Sequence, residues 1–396
     1  MSTSSLHVVI IGGGLGGLCL AQGLRRVGID VALYERDASP YTRKQGYRLH
    51  IDRRGIDALH SCLPPHLFDL CMATASRPGS QVTIVTKQLK PIKVIGFSRE
   101  DSPTIVPVST SVDRLTLREI LLIGLDDIVH FGKEFLRYEY LSDGRVRAFF
   151  SDGTEACGDV LIAADGVNSR VRQQFLPHAS IEETDVRCIY GKTLLTEATH
   201  SLIPDFLYRG FAQVVGFRFS LALGVVDFQQ LPAEAARKFV PDACFHTTGS
   251  YLMWSLNAKR RHMGMSDDKL FGLDGAQLLQ FALLKTKRWH PALRALLAAG
   301  EPEETFPIAV RTAVPCQPWK STSITLLGDA IHAMSPAGGS GANMALRDAH
   351  TLCQALKAAA YGERPLISAI HDYEAVMLEE GFEAVRFSAR GGVLRR

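Results

Sequence analysis

The 396-residue sequence predicts an α/β protein of two domains. One is a mostly parallel sheet interleaved with helices, and the other is a mainly antiparallel sheet inserted into it. Three observations predict this. The chain opens on a strand–glycine turn–helix–strand unit. Two later apolar runs each end beside a paired Gly and Asp and lead into a helix start. Between these motifs lie segments that alternate apolar and polar residues as half-buried strands do. The chain is also too long for one compact core.

The opening run LHVVII (6–11) is short, apolar and β-branched, which suits a strand buried on both faces. Gly12, Gly14 and Gly17 follow in GxGxxG spacing. Gly12 permits the tight turn, Gly14 lets a pyrophosphate approach the backbone, and Gly17 lets helix and strand pack closely. Leu18, Leu20, Ala21, Leu24 and Val27 recur at helical spacing, and Gly28 ends that helix. The next strand, 29–35, ends at Glu35, where a carboxylate can accept hydrogen bonds from a ribose diol. Arg36, next in the chain, is a further candidate on the cofactor. The helix N-terminus offers free N–H groups and partial positive charge to phosphates. This makes the unit Rossmann-type, and it does not separate NAD from FAD.

Residues 158–172, GDVLIAADGVNSRVR, supply another buried strand with Asp165-Gly166 at its carboxyl end. Ligands of open α/β sheets lie outside those ends, so Asp165 is expected in the same crevice as Gly14. A plain turn whose Asn168 or Ser169 caps a helix reads equally well. Residues 324–349, ITLLGDAIHAMSPAGGSGANMALRDA, repeat the plan: a strand, Gly328-Asp329, then a loop with Pro336, Gly338, Gly339 and Gly341. A long helix is expected from Asn343 to Ala360. Its N-terminal N–H groups suit the N1 and C2-carbonyl edge of a flavin.

With these motifs in place the chain resembles the single-component, FAD-dependent aromatic hydroxylases, the class A flavoprotein monooxygenases. Gly12, Gly14 and Gly17 match that family's first motif, and Asp165-Gly166 with Ser169 and Arg172 looks like its DG motif. Gly328-Asp329 with His332, Pro336, Gly338, Gly341 and Asn343 looks like its GD motif. Gly46 and Arg114 match further family positions beside the cofactor. The resemblance implies that Glu35 binds the adenosine ribose, that Arg114 and Asp165 support FAD, and that Asp329 contacts the ribityl chain. Ile331 stands where the family often has a second alanine. The implied reaction takes electrons from NAD(P)H as a transient co-substrate, adds O2 at flavin C4a and passes one oxygen to an aromatic or polycyclic small molecule. A flavin reductase or dehydrogenase, or a flavin-bound protein that shields an intermediate, are the alternatives.

Composition narrows the class further. A net charge of +3 gives no nucleic-acid footprint. The eight cysteines show no CxxC or CxxH spacing and read as reduced thiols. No HExxH, zinc spacing or Ser-His-Asp set stands out, and no metal is expected. No apolar run is long enough for a membrane span, and no secretory leader is expected ahead of Leu6. The expectation is a cytoplasmic enzyme, monomer or homodimer, with a small molecule and O2 as its partners.

The cofactor domain is expected from residues 1–78, 102–180 and 305–360, and the substrate domain from 79–101 and 181–304. A C-terminal helical segment takes 361–396. In QGYRLHID (45–52), Arg48 reads as a guide for nicotinamide or a holder of substrate, and His50 as a proton acceptor. Both read equally as ordinary strand residues. Tyr190 is a further substrate or nicotinamide candidate. Lys192 stands near where the family carries an arginine that reaches the active site, although lysine lacks the planar fork. Pro336 completes the catalytic candidates. Tyr208, Tyr251 and Trp254 are candidates for the pocket wall, against the alternative that they are simply core.

Overall fold

The computed structural model describes residues 6–42, 47–77, 79–96 and 109–391. A five-stranded, all-parallel sheet runs in the order Ile324–Leu326, Val160–Ala163, His7–Ile11, Asp30–Glu35, Val129–Phe131. The first strand lies at its centre, and Val8 to Ile11 are buried as the apolar run requires. From this strand the chain turns through Gly12 into the helix Leu15–Arg26 and returns as Asp30–Glu35 on one side. Val160–Ala163 pairs on the other side. A crevice therefore opens at the carboxyl ends of the strands, where the order departs in both directions.

A seven-stranded sheet forms the second layer. Its order is Phe306–Ala313, Ile181–Leu194, Tyr251–Lys259, Phe219–Val226, Gly210–Val215, Gln81–Thr86, Pro91–Gly96. Every pairing is antiparallel except Gly210–Val215 with Gln81–Thr86. The alternating segments 81–97 and 211–228 each fold as two strands. The first reverses near Leu89, at φ 60°. Phe306–Ala313 pairs with Ile181–Leu194 in this sheet, although its sequence position places it with the parallel sheet. Its neighbours in the chain gave no sign of that, because strand partnership is decided by distant residues.

The seven-stranded sheet has two faces of different character. Ala212, Val214, Leu221, Leu223, Leu252, Trp254 and Leu256 pack in a core beneath helices such as Gly275–Lys285 and Pro291–Ala298. Residues of the opposite parity, Phe211, Gln213, Ser220, Ala222, Met253, Ser255 and Asn257, line a cavity between this sheet and the parallel-sheet layer. The period of two along each strand produces this division. A short pair, Arg48–Ile51 with Thr110–Asp113, lies at the seam, and a three-stranded antiparallel sheet, 135–158, flanks the first layer. The C-terminal helix Leu366–Ala389 packs on the helix Gly341–Ala360. No helix among the described residues is long and apolar enough to cross a membrane.

Candidate active site

A cavity of about 1820 Å³ is lined from both layers and from the C-terminal helix. Its first end is the glycine turn. Gly12 holds φ 113°, and a Cβ there would collide with the Ala164 carbonyl. A Cβ on Gly17 would collide with the Gly12 carbonyl, so the turn exists only with glycine at both positions. Gly14 borders the cavity and begins the helix Leu15–Arg26 with no side-chain cap. The long helix Gly341–Ala360 likewise starts at the cavity without a side-chain cap. Helices nearby are capped by Asp52, Asp113 and Ser169. Two uncapped N-termini on one cavity leave N–H groups and partial positive charge for a bound anion.

Asp329 is exposed to this cavity at the start of a short helix, Asp329–His332. Behind it, Asp348 accepts a hydrogen bond from Gly328 N–H at 2.8 Å and lies 2.6 Å from His332 Nε2. Burial disfavours the imidazolium of His332. The charge and hydrogen bond of Asp348, with Asp329 adding to them, outweigh that and raise its pKa. The Gly328–Asp329 turn is thus fixed from below by a buried pair. Asn343 ties the opposite rim. Its Oδ1 accepts from Asp52 N–H at 2.9 Å, and its Nδ2 donates to the carbonyls of His50 and Gly339 at 2.8 and 3.1 Å.

A family model for an FAD binding domain matches residues 285–387, and one for an NAD(P)-binding Rossmann-like domain matches residues 10–74. A solved structure from Photorhabdus luminescens, assigned as an FAD-containing monooxygenase, is 32% identical with a TM-score of 0.83, covering 98% of this chain and 97% of that one. The chain belongs to the single-component FAD-dependent monooxygenases. The Cercospora beticola dual O-methyltransferase/FAD-dependent monooxygenase CTB3 is 33% identical over 95% of this chain and 44% of its own length. This monooxygenase chain therefore spans under half of that relative. The Penicillium herquei FAD-dependent monooxygenase phnB is 28% identical over 99% of this chain and 91% of its own.

Most residues expected in the monooxygenase site do converge. Gly14, Gly17, Arg48, His50, Arg114, Gly166, Tyr190, Asp329, Pro336, Gly338, Gly339 and Gly341 all border the one cavity. Gly46 lies outside the described residues. Glu35 is buried just behind the turn, its Oε2 accepting from Gly13 N–H at 2.7 Å and its Oε1 from Asp37 N–H at 2.8 Å. Arg36 is exposed and away from the cavity lining.

Several expectations need correction. Asp165 lies just behind the cavity lining: its Oδ2 accepts from Arg170 N–H at 2.8 Å at the start of the helix Arg170–Phe175, and its buried Oδ1 has no hydrogen-bond partner among the described residues. The cap of that helix is Ser169, as the turn-and-cap reading allowed, and burial raises the pKa of Asp165. Asn343 is fully buried and spends its amide on the tie described above. Lys192 donates to Thr248 Oγ1 at 3.0 Å with its ammonium 4.5 Å from the Tyr251 ring centre, off the cavity lining. Trp254 is fully buried on the helix-covered face, and Tyr208 packs on that same core. Tyr251 points to the other face, where its hydroxyl donates to Asp113 Oδ2 at 2.7 Å. Tyr251 and Trp254 are three apart, so in one strand they face opposite ways.

Sequence reasoning missed Arg118. It is buried, donates from Nε to the Gly13 carbonyl at 3.1 Å and from Nη1 to the Pro40 carbonyl at 2.9 Å, and lies 3.8 Å from Glu35. The signal was available, because Arg118 is one helical turn beyond Arg114. Phe211, Gln213 and Met253 were also missed, and the parity of their strands would have found them.

His50 is half-buried, and its partial removal from water, reinforced by the positive charge of Arg48, pushes its pKa down to about 4. It is a neutral imidazole at ordinary pH. Among the described residues no cluster of side chains is arranged to hold a metal ion.

Proposed function

We propose that this chain is an NAD(P)H-dependent monooxygenase that inserts one oxygen atom into an aromatic or polycyclic small molecule, with hydroxylation as the expected outcome. The observation that carries this reading is one cavity with two unlike ends. One end has the uncapped helix starts at Gly14 and Gly341 with Asp329, and the other has the sheet wall of Tyr190, Phe211 and Met253. Pockets for one small ligand measure roughly 300–1,000 Å³. A cavity of about 1820 Å³ has room for a dinucleotide and a second molecule.

FAD fits the residues present. The helix starts at Gly14 and Gly341 would hold its anionic and carbonyl groups, Glu35 its adenosine ribose and Asp329 its ribityl chain. When bound, the flavin supplies the redox chemistry, taking electrons from NAD(P)H and activating O2. The protein's own part is to hold the substrate and shut out water. The C-terminal helix contributes Glu380, Glu383 and Phe387 to the cavity and closes that side, with Glu380 paired to Arg347. His50 offers a neutral ring nitrogen that can accept a proton from a substrate hydroxyl. The Cercospora relative's name joins the monooxygenase to an O-methyltransferase, which acts on a hydroxyl oxygen, and a hydroxylated substrate fits that association.

The test is oxygen uptake and NAD(P)H oxidation by the purified yellow protein against phenols, quinolones and polyketides, with mass spectrometry of the products. A gain of one oxygen in at least one product is expected. Substrate-independent NAD(P)H oxidation without product would favour a reductase instead. Asp329→Ala is expected to lower flavin occupancy, and full retention of FAD by that variant would remove the role assigned to Asp329.

A further inference from the structure

Arg48 is a cation set into the wall of the cavity with no anion to answer it among the described residues. Its side chain leaves the strand Arg48–Ile51 and crosses to the seven-stranded sheet. There Nε donates to the Val225 carbonyl at 3.3 Å, and the guanidinium carbon lies 5.9 Å from the centre of the Phe211 ring. A Cβ on Gly224 would come within 2.7 Å of Arg48 Cδ, so the glycine opens the notch in which the side chain lies. Among the described residues the terminal nitrogens make no hydrogen bond, and no carboxylate forms an ion pair with them. Its cross-strand neighbour Asp113 is committed elsewhere. Its Oδ1 caps Thr116 N–H at 2.8 Å, and its Oδ2 accepts from the Tyr251 hydroxyl.

The surroundings of Arg48 are apolar and aromatic. Tyr47, Tyr190, Phe211 and Met253 border the cavity here, and Tyr190 stacks on Phe306 with ring centres 6.1 Å apart. Gln213 adds a neutral amide. A guanidinium in such a wall is costly unless an anion completes it, because the low dielectric that penalises the lone charge strengthens its pairing. Burial lowers its pKa to about 10, which leaves it charged at neutral pH.

The geometry points to Arg48 as the anchor of an aromatic oxyanion: the substrate is a planar ring system carrying an ionised hydroxyl or a carboxylate, seated against the aromatic wall. The planar fork of the guanidinium matches a flat oxyanion, and the ring faces beside it match a flat body. This rests on the reading of the cavity as a monooxygenase site, but binding can be measured without turnover.

The probes are 2-hydroxy-1,4-naphthoquinone, which is an anion at neutral pH, and its neutral 2-methyl ether. Each is titrated by calorimetry into the holoenzyme, wild type and Arg48→Met, with FAD content and NAD(P)H affinity recorded for both. Wild type is expected to prefer the anion at least about tenfold, as one charge-assisted hydrogen bond supplies. In Arg48→Met the two probes should bind within about twofold of each other, at unchanged FAD content. Arg48→Lys, which keeps the charge, should retain part of the preference and covers the case in which Arg48→Met fails to fold. Retention of the preference in Arg48→Met overturns the proposal, as does wild type that binds both probes equally or neither. Loss of NAD(P)H affinity with the preference intact also overturns it and assigns Arg48 to the nicotinamide. A colourless protein that still prefers the anion would count against the flavin reading alone.

Discussion

Arg48 and His50 stand two residues apart on one short strand, so both side chains reach the same cavity, and their charges then govern each other. Burial and the nearby guanidinium hold His50 down to about 4 against an ordinary 6.5. The sign of the pH dependence follows. The unfolded chain takes up a proton at His50 as pH falls from about 6.5 towards 4, and the folded chain does not. The contribution of His50 to stability is thus fully present above 6.5 and lost as pH falls through 4. In urea unfolding from pH 7.5 to 4, the midpoint of wild type should fall more steeply than that of His50→Gln. Parallel curves for the two would sink the claim. The family resemblance of QGYRLHID made this residue pair legible in the sequence. The depressed pKa was not legible, because it depends on what the fold packs around the ring.

Elements meet at the cavity through a few buried polar ties, and Asn343 is the most connected of them. It belongs to the helix Gly341–Ala360 and holds the strand Arg48–Ile51 against the loop at Gly339. Asn343→Ala leaves an N–H and two carbonyls without their partner, at a cost of roughly 2–4 kcal/mol. Both tied segments border the cavity, so FAD affinity should fall about tenfold or more. Urea unfolding gives the first number and flavin fluorescence titration the second. Loss of stability with wild-type FAD affinity would reduce Asn343 to a structural tie remote from the cofactor. The sequence marked Asn343 as a cofactor residue because it sits in the GD-motif loop. Two of its three partners lie nearly 300 residues away in the chain, and no local pattern carries that information. Asp165 teaches the same lesson in reverse. The sequence offered Asp165 to the crevice and Asn168 or Ser169 as a helix cap, and the folded chain makes Ser169 the cap with Asp165 braced against the same helix start.

Across the whole molecule the cavity is the seam between the two sheets, closed by the C-terminal helix. A cofactor bound there touches segments from the start, middle and end of the chain, so it should stabilise the fold as a unit. At free FAD of about 100 times the dissociation constant, the expected gain is roughly 2.7 kcal/mol. For a chain of this size that corresponds to a rise in Tm of roughly 3 °C. Differential scanning fluorimetry of apo and FAD-saturated protein checks this. An unchanged Tm at saturating FAD would count against a site spanning both layers.

The sequence by itself determined the opening strand–turn–helix–strand unit, the Gly and Asp motifs, the two kinds of sheet and most of the residues bordering the cavity. These follow from local rules: glycine where no Cβ fits, period two in strands, period 3.6 in helices. Only the tertiary structure decided that Phe306–Ala313 joins the inserted sheet, that Trp254 faces its helices, that Arg118 sits under the glycine turn and that Arg48 has no counter-ion among the described residues. Each of these depends on contacts between residues far apart in the chain, and their free energy exists only once the layers have packed.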